Sequence, residues 1–274
     1  MEKSALKEFI KKIEHFYALN KRTFSWRYVD DPYLVVVSEI MLQQTQTYRV
    51  EPKYKIFISK FPNFNALANA SHHDLLFYWQ GLGYNRRALY VQQLAQWVTS
   101  DQGGSLPKDP TLLQTQKGIG YATAHSICAF AFNMPTIFIE TNIRAVFLHE
   151  FFNNKTNIHD KQLMPFVQAT VNQTDPRSWY YALMDYGVFL KATMPNPSTC
   201  SAHHAQQSRF EGSTRQIRGK IIALLLTHKI LLKEELERYL LQQLTENQIL
   251  KIESTLEKMI AEKLVKKEND QYFL

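Results

Sequence analysis

Residues 115–130 read TQKGIGYATAHSICAF and place Gly118 and Gly120 between two segments with helical patterns. Glycines in such a turn let backbone N–H groups come close to a phosphate and lead directly into a helix N-terminus, because no side chain blocks the approach. The same letters also occur in ordinary connections between two helices. The stretch therefore predicts a helical hairpin and leaves phosphate binding as one of two interpretations.

Most of the chain before residue 200 carries the apolar spacing of amphipathic helices. The pattern covers residues 6–17, 35–48, 53–61, 73–79, 86–99, 121–131 and 160–171. Short connectors with glycine or proline separate these segments, and alternation typical of strands is rare. The sequence therefore predicts a mainly all-α fold, built as a helical bundle with short loops.

Residues 200–213 form a polar linker, and a different pattern follows in residues 214–274. Segments compatible with helices lie at about 215–228, 233–243 and 245–263, and two short strand candidates flank Asn269 and Asp270. Three helices followed by a hairpin are typical of a winged helix. We therefore expect a helical region at 1–199, the linker, and a winged-helix-like domain that contacts either DNA or a protein.

Composition limits the classes of function. The 274 residues are 45% hydrophobic and 21% charged, which is typical of a soluble globular protein, and the net charge of +7 favours a polyanionic partner without requiring one. No run approaches the roughly 18 apolar residues of a membrane helix, so we expect a cytoplasmic protein with no membrane contact, nucleoid-associated in a bacterium. Because only Cys128 and Cys200 are present, ligation of a metal or an iron–sulfur cluster by four cysteines is excluded.

Glu39 lies in the apolar helical pattern of VVVSEIMLQQTQTYRV, residues 35–50. Apolar surroundings raise the pKa of a carboxyl group, which then keeps its proton near neutral pH as a general acid must. The alternative is a buried glutamate that is satisfied by a local partner. Gln43 and Gln44 follow with amides that are able to bond base edges or fill a gap in a duplex, or else form a solvated face.

A second carboxylate interrupts an apolar segment in MPTIFIETNIRAVF, residues 134–147. Glu140 and Asn142 stand where a helix is predicted to begin, near residue 142. Either Glu140 or Thr141 caps that helix, or the polar residues serve a site at its mouth. The sequence alone leaves both interpretations open.

The stretch GLGYNRRALY, residues 81–90, combines a glycine turn with two cations at the start of a helix. Arg86 and Arg87 have the charge that phosphates require. A solvated basic face is the alternative.

Taken together and in this order, these motifs resemble the helix-hairpin-helix (HhH-GPD) DNA glycosylases, most closely the MutY-type A/G-specific adenine glycosylases. The resemblance runs through FSWR (24–27), DPYLVVVSEIMLQQTQ (31–46), FP (61–62), WQGLGYNRRA (79–88), GIGYATA (118–124), IETNIRAVF (139–147) and ALMDYG (182–187). The stretch SEIMLQQTQ is specific to this subfamily, whereas the glycine hairpin is shared by the superfamily. The resemblance implies a two-lobed helical fold that flips a nucleotide out of double-stranded DNA into a cleft between the lobes.

The resemblance also implies roles for individual residues. The carboxyl group at Glu39 protonates the leaving purine, the acidic residue at Glu140 stabilises the sugar cation, and Asn142 supports it. Gln44 falls near the residues that fill the space left by the flipped base. Contacts with DNA or substrate are implied for Gln43, Gln44, Tyr84, Arg86, Gly118, Gly120, Tyr121, Ala122 and Arg144.

Several positions depart from the family pattern. The family usually has aspartate where this chain has Glu140, and the extra methylene moves the carboxylate by about one bond length. The four cysteines of the family's iron–sulfur cluster would fall at Lys191, Ser198, Ser201 and Gln207, so we expect no cluster and no other cofactor. We expect the tail to stand where the family has the domain that reads 8-oxoguanine.

Ala122 stands where bifunctional relatives have a lysine nucleophile, so lyase chemistry through a Schiff base is not expected. The sequence thus predicts a monofunctional, monomeric glycosylase of base excision repair that removes adenine from a mispair. One alternative is another base, such as uracil, thymine in G·T or a damaged purine. The other is a DNA-binding relative with altered catalysis.

Overall fold

The computed structural model describes residues 2–153, 155–206 and 208–274, and most of this part of the chain is helical. Before the tail, the helices are α1 (Lys3–Asn20), α2 (Pro32–Leu42), α3 (Thr47–Lys60), α4 (Phe64–Ala68), α5 (His72–Trp79), α6 (Arg86–Asp101), α7 (Pro110–Gln114), α8 (Tyr121–Phe132), α9 (Thr141–Phe151), α10 (Asp160–Thr170) and α11 (Pro176–Thr193). A short 3-10 turn, Pro197–Cys200, follows. Among the described residues, no helix has the length and apolarity needed to cross a membrane.

Contacts divide the chain into two compact units. One comprises Met1–Val36 and Pro107–Gln206, and the other comprises Val37–Leu106 and Gln207–Leu274. The boundary falls within α2, and the tail groups with the 37–106 segment. The division into 1–199, 200–213 and 214–274 stays a prediction about folding units, since contacts group the chain differently.

Helix α11 forms the centre of the first unit. Residues on most of its sides are buried, including Trp179, Tyr180, Leu183 and Leu190. The sequence patterns did not include this helix, in which Asp185 and Gly187 stand among the buried apolar residues and interrupt the apolar spacing. Its main neighbour is α9, and Phe9 of α1 meets Trp179 edge-on with ring centroids 6.0 Å apart.

A buried ion cluster anchors α11 to the segment before α2. The Asp185 carboxylate, 3% exposed, accepts hydrogen bonds from Arg27 Nη2 at 2.7 Å, Arg27 Nη1 at 2.8 Å and Arg22 Nε at 2.7 Å. The carboxylate raises the pKa of Arg27, and the guanidinium lies over the Tyr181 ring. Removing Asp185 would leave the buried Arg27 guanidinium without its carboxylate partner. The FSWR and ALMDYG motifs therefore belong to one packing arrangement.

The tail contains α12 (Thr214–His228), α13 (Lys233–Leu241), α14 (Glu246–Ile249), α15 (Ile252–Ala261) and strands β1 (Ile230–Leu232), β2 (Lys266–Glu268) and β3 (Gln271–Phe273). The strands form an antiparallel sheet in the order β1-β3-β2. Asn269 and Asp270 have φ of 46° and 62°, which is the left-handed backbone of a tight hairpin, so the predicted hairpin is confirmed. The sequence missed β1 and joined α14 to α15. The winged-helix assignment stays a prediction.

Of two helix boundaries near the candidate site residues, one differs from the prediction and one agrees with it. The pattern at 35–48 runs too far, because α2 ends at Leu42 and Gln44 adopts a left-handed φ of 54°. The helix predicted near residue 142 begins at Thr141, as expected within one residue.

Gly187 of α11 packs against the backbone at the start of α9. A Cβ at this position would lie 2.5 Å from the Asn142 carbonyl oxygen and 2.7 Å from the Asn142 Cβ, so α9 and α11 would have to separate. We expect Gly187→Ala to lower the free energy of unfolding by about 1–3 kcal/mol, measured by urea unfolding. The matched control is Gly219→Ala in α12, where a Cβ meets nothing within 4 Å and the change should stabilise by up to about 1 kcal/mol. A Gly187→Ala protein as stable as the parent would contradict this account.

Candidate active site

Glu140 is the N-cap of α9, and its carboxylate is fixed by local donors. Its Oε1 accepts hydrogen bonds from the backbone N–H groups of Asn142 at 2.7 Å and Ile143 at 2.8 Å. Its Oε2 accepts from Thr141 Oγ1 at 3.1 Å and Asn142 Nδ2 at 3.2 Å. The capping interpretation is therefore confirmed. It leaves Glu140 half-buried, with both oxygens held in one orientation.

The glycine hairpin joins α7 to α8. Gly118 has a φ of 80°, a backbone conformation that favours glycine. Gly120, the N-cap of α8, has an extended backbone that any residue adopts, and a Cβ there would meet nothing within 4 Å. Folding therefore does not require glycine at position 120. Gly120 has no side chain to cap α8, and the space beside its Cα is open, which suits the approach of an anion to this helix N-terminus.

Tyr121 and Ala122 follow in the first turn of α8. The Tyr121 ring is 48% exposed, stacks on His125 at 3.9 Å between ring centroids, and its hydroxyl donates to the Ile137 carbonyl at 3.0 Å. Ala122 is half-buried. Ala122, at the position where bifunctional relatives have a lysine nucleophile, thus carries only a methyl group.

Arg144 forms a two-pronged ion pair rather than projecting freely. Its Nε and Nη2 each donate to Asp160 at 2.7 Å, which raises the pKa of Arg144 and lowers that of Asp160. A contact between Arg144 and DNA stays a prediction. In this structure the pair ties the first turn of α9 to the start of α10.

Glu39 lies near the end of α2 in the second unit. The side chain is half-buried, and Val37, Ser38, Ile40 and Met41 around it in the helix are buried. This placement agrees with the apolar surroundings that the sequence predicts for a general acid. Its role in catalysis stays a prediction.

Arg87 binds protein carbonyls, which corrects its interpretation as a phosphate cation. Its side chain is buried at 6% exposure, and Nη1 donates to the carbonyls of Ile40 at 2.8 Å, Met41 at 2.9 Å and Gln43 at 2.6 Å. Its Nη2 donates to the Gly83 carbonyl at 3.1 Å. Because all of these acceptors are neutral, burial lowers the pKa of Arg87 to about 10.

Through these bonds Arg87 shapes the turn that carries the glutamines. It satisfies carbonyls at the C-terminal end of α2, where no further helical turn supplies donors. The chain then turns through Gln43 and Gln44, and Gln44 is exposed with its left-handed backbone. A non-glycine residue in this conformation persists only where its surroundings hold it. Gln44 is therefore displayed by a structured turn.

Tyr84 and Arg86 both contact the tail. The Arg215 guanidinium donates through Nη1 to the Tyr84 hydroxyl at 3.0 Å. Arg86, whose side chain is 55% exposed, pairs with Glu262 at 3.4 Å, and Glu262 also pairs with Arg218. Arg86, which the sequence predicts to contact DNA, thus forms an ion pair with a carboxylate of the tail.

Comparison with known proteins identifies the family. Residues 37–172 match the family model of HhH-GPD superfamily base excision DNA repair proteins. The chain belongs to this superfamily. The match includes Glu39, the hairpin and Glu140.

Curated HhH-GPD relatives carry two kinds of name. The adenine DNA glycosylase of Buchnera aphidicola is 30% identical over 199 residues, 69% of this chain and 56% of that protein. The adenine DNA glycosylase of Mycolicibacterium smegmatis is 29% identical, covering 75% of this chain and 76% of that protein. The thymine/uracil-DNA glycosylase of Methanothermobacter thermautotrophicus is 25% identical, covering 68% and 86%. The chain thus spans little more than half the length of the Buchnera relative.

Solved HhH structures share the fold. A thermostable thymine-DNA glycosylase superposes with a TM-score of 0.62 at 24% identity, covering 72% of this chain and 93% of that chain. Endonuclease III in a non-covalent DNA complex gives a TM-score of 0.53 at 16% identity, covering 73% and 95%. These likenesses support the mainly helical HhH glycosylase fold.

The last turn of α11 and the segment that follows it do not fit the iron–sulfur cluster that the family resemblance implies. Lys191 places a cationic ammonium where a thiolate is needed, and Ser198 and Ser201 are buried hydroxyls. Gln207 lies outside the described residues. Among those described, no group of three or more His, Cys, Asp or Glu side chains is arranged to hold a metal ion.

The adjacent arginines at the start of α6 give a direct test of the site. We expect Arg87→Lys to lower the free energy of unfolding by more than about 2 kcal/mol, because an ammonium cannot serve all the carbonyls that the guanidinium binds. Arg86→Ala should change stability by less than about 1 kcal/mol, because its ion pair is exposed. The same change should weaken duplex binding and reduce its salt dependence. Urea unfolding and fluorescence titration would contradict the assignment if both variants behaved alike.

Proposed function

We propose that this protein is a DNA glycosylase of base excision repair that hydrolyses the N-glycosidic bond of a base flipped out of double-stranded DNA. The observation that supports this most is the Glu140 carboxylate, held by backbone and side-chain donors at the start of α9 in a chain of the HhH-GPD superfamily. A fixed anion is suited to a transition state in which positive charge develops on the sugar.

The proposed chemistry divides the two carboxyl groups by role. Glu39 donates its proton to a nitrogen of the leaving base, and the electrons of the bond between the sugar C1′ and the base leave with the base. The positive charge that remains on the sugar is stabilised by the Glu140 carboxylate, and Asn142 holds that carboxylate in place. Water then adds to C1′ and gives up a proton to the carboxylate of Glu39. The cycle restores both groups.

DNA binding in this proposal combines a backbone grip with a wedge. The open first turn of α8 behind Gly118 and Gly120 binds a phosphate, and Arg86 binds another. Gln43 and Gln44, on their structured turn, enter the space left by the extruded base. Extrusion costs a few kcal/mol, which these contacts offset.

Adenine in a mispair is the proposed base, because relatives from bacteria and mammals carry the name adenine DNA glycosylase. Thymine or uracil is the second candidate, since the Methanothermobacter relative bears that name and this chain covers 86% of it. A panel of single-lesion duplexes with A, T or U opposite G or 8-oxoguanine, and with damaged purines, tests both. Release of none of these bases would leave only a DNA-binding role.

In the proposed function the protein uses no cofactor and no second copy of the chain. It acts as a monomer. It has no iron–sulfur cluster, because thiolates are lacking at the positions where the family ligands are expected. The tail contacts DNA or a protein through surfaces that its packing on the 37–106 segment leaves exposed.

Substitution of the two carboxyl groups tests the mechanism. Glu39→Gln should slow single-turnover base release by about 10²–10⁴-fold, because the amide keeps the shape and loses the proton, while duplex affinity stays unchanged. Glu51→Gln in α3, a carboxylate paired with Lys55, is the matched control and should retain the full rate. Equal rates for Glu39→Gln and the parent would remove Glu39 from the mechanism.

Glu140 allows a finer comparison. Glu140→Gln should abolish release and weaken the helix cap, because the charge that suits a helix N-terminus is lost. Glu140→Asp restores the residue that the family resemblance implies and is itself a favoured N-cap residue, so it should fold normally and retain or increase the rate. An active Glu140→Gln protein would refute the assigned role.

Base release without strand cleavage is the expected outcome, because Ala122 offers no amine to attack the sugar. Products from the preferred duplex should appear as strand breaks only after hot alkali. Ala122→Lys tests whether the position itself controls this, since the variant should form an adduct that borohydride traps. Prompt cleavage and trapping with the parent protein would contradict the proposal.

A further inference from the structure

Lys191 reaches from the last turn of α11 to the start of α9. Its Nζ donates to the Thr141 carbonyl at 3.0 Å and to Asn142 Oδ1 at 3.0 Å. Asn142 Nδ2 in turn donates to Glu140 Oε2 at 3.2 Å. An ammonium, an amide and a carboxylate are therefore linked in one chain of hydrogen bonds.

This chain determines the orientation of the Asn142 side chain. An ammonium is only a donor, so the oxygen of the amide must face Lys191. The NH₂ group must then face Glu140, where the carboxylate is only an acceptor when ionised. Without Lys191, the Asn142 side chain keeps its bond to Glu140 but loses the donor that holds its oxygen, so the amide is held from one side only.

Lys191 is held in place by its surroundings. The pKa of Lys191 is lowered, mainly by burial. The nearby Glu140 carboxylate opposes this shift, and Arg144 adds to it. The buried Ser198 directs its hydroxyl toward the same Thr141 carbonyl at 3.5 Å, while Lys191 is half-buried. Lys191 and Ser198, two positions where the resemblance implies cluster ligands, thus both contact the Thr141 carbonyl beside Glu140.

The geometry points to Lys191 as a positioning residue that fixes the amide of Asn142 and, through it, the carboxylate of Glu140. This inference rests on the proposed function and adds a residue to it. A misplacement of about 1 Å in a reacting group costs on the order of 10²-fold in rate. Lys191 acts on the carboxylate that meets charge in the transition state, so its loss should reduce the rate of the chemical step and leave DNA affinity unchanged.

The test compares Lys191→Met, Lys191→Arg and a matched control, Lys12→Met. Lys12 donates to Glu150 at 2.7 Å near the other end of α9, so its loss removes a similar bond from the same helix. Lys191→Met should lower the single-turnover rate at least about tenfold with affinity within about twofold, and Lys191→Arg should recover part of that loss. Lys12→Met should keep the parent rate. A parental rate for Lys191→Met, or an equal loss for Lys12→Met, would overturn the inference.

A second measurement separates this inference from the proposed function. If the parent protein releases no base from any lesion duplex, the proposed function fails, and the NMR signals of the Asn142 side-chain NH₂, assigned with Asn142→Ala, become the readout. Lys191→Met should shift these signals and speed their exchange with water, whereas Lys12→Met should leave them in place. Signals unchanged by Lys191→Met would overturn the positioning role.

Discussion

The direct packing of α11 on the backbone of Asn142 is the constraint on which the candidate site depends. Only the missing side chain of Gly187 permits this approach. Two residues earlier, Asp185 binds Arg22 and Arg27 and fixes α11 in the first unit. The motifs that contain these residues are distant in sequence, yet together they place the start of α9. The position of Glu140 is therefore set by helix packing, and such rigid support suits a catalytic group.

Capping and catalysis do not compete at Glu140. Backbone N–H groups occupy one carboxylate oxygen, while Thr141 and Asn142 side chains hold the other. The positive end of a helix favours negative charge at its N-cap, so the fold stabilises the charge that the proposed reaction uses. A carboxylate fixed before substrate arrives needs no reorganisation during bond cleavage. Capping of α9, which is the structural interpretation of Glu140, thus supplies the fixed carboxylate that the catalytic interpretation requires.

Sequence predicted the elements whose patterns are local. Amphipathic stripes gave most helices, and the Asn269 and Asp270 pair gave the hairpin. It missed α11, whose partners come from distant segments, and it treated Arg86 and Arg87 alike. The distinction was present in the spacing, because Arg87 lies on the buried stripe that continues through Val91, Leu94 and Val98. Lys191 could not be found this way, because its contacts join α11 to α9 across about 50 residues.

The contact between Arg86 and the tail is compatible with a role in DNA binding. An exposed ion pair contributes only about 0–1 kcal/mol, so a DNA phosphate can replace the Glu262 carboxylate at small cost. Glu262 keeps a second partner in Arg218, which is more buried than Arg86, and so is not left unpaired by the exchange. The tail therefore contacts the start of α6 and still leaves Arg86 able to exchange Glu262 for a phosphate. The neighbouring Arg87 stays bound to the carbonyls of the turn that carries Gln44.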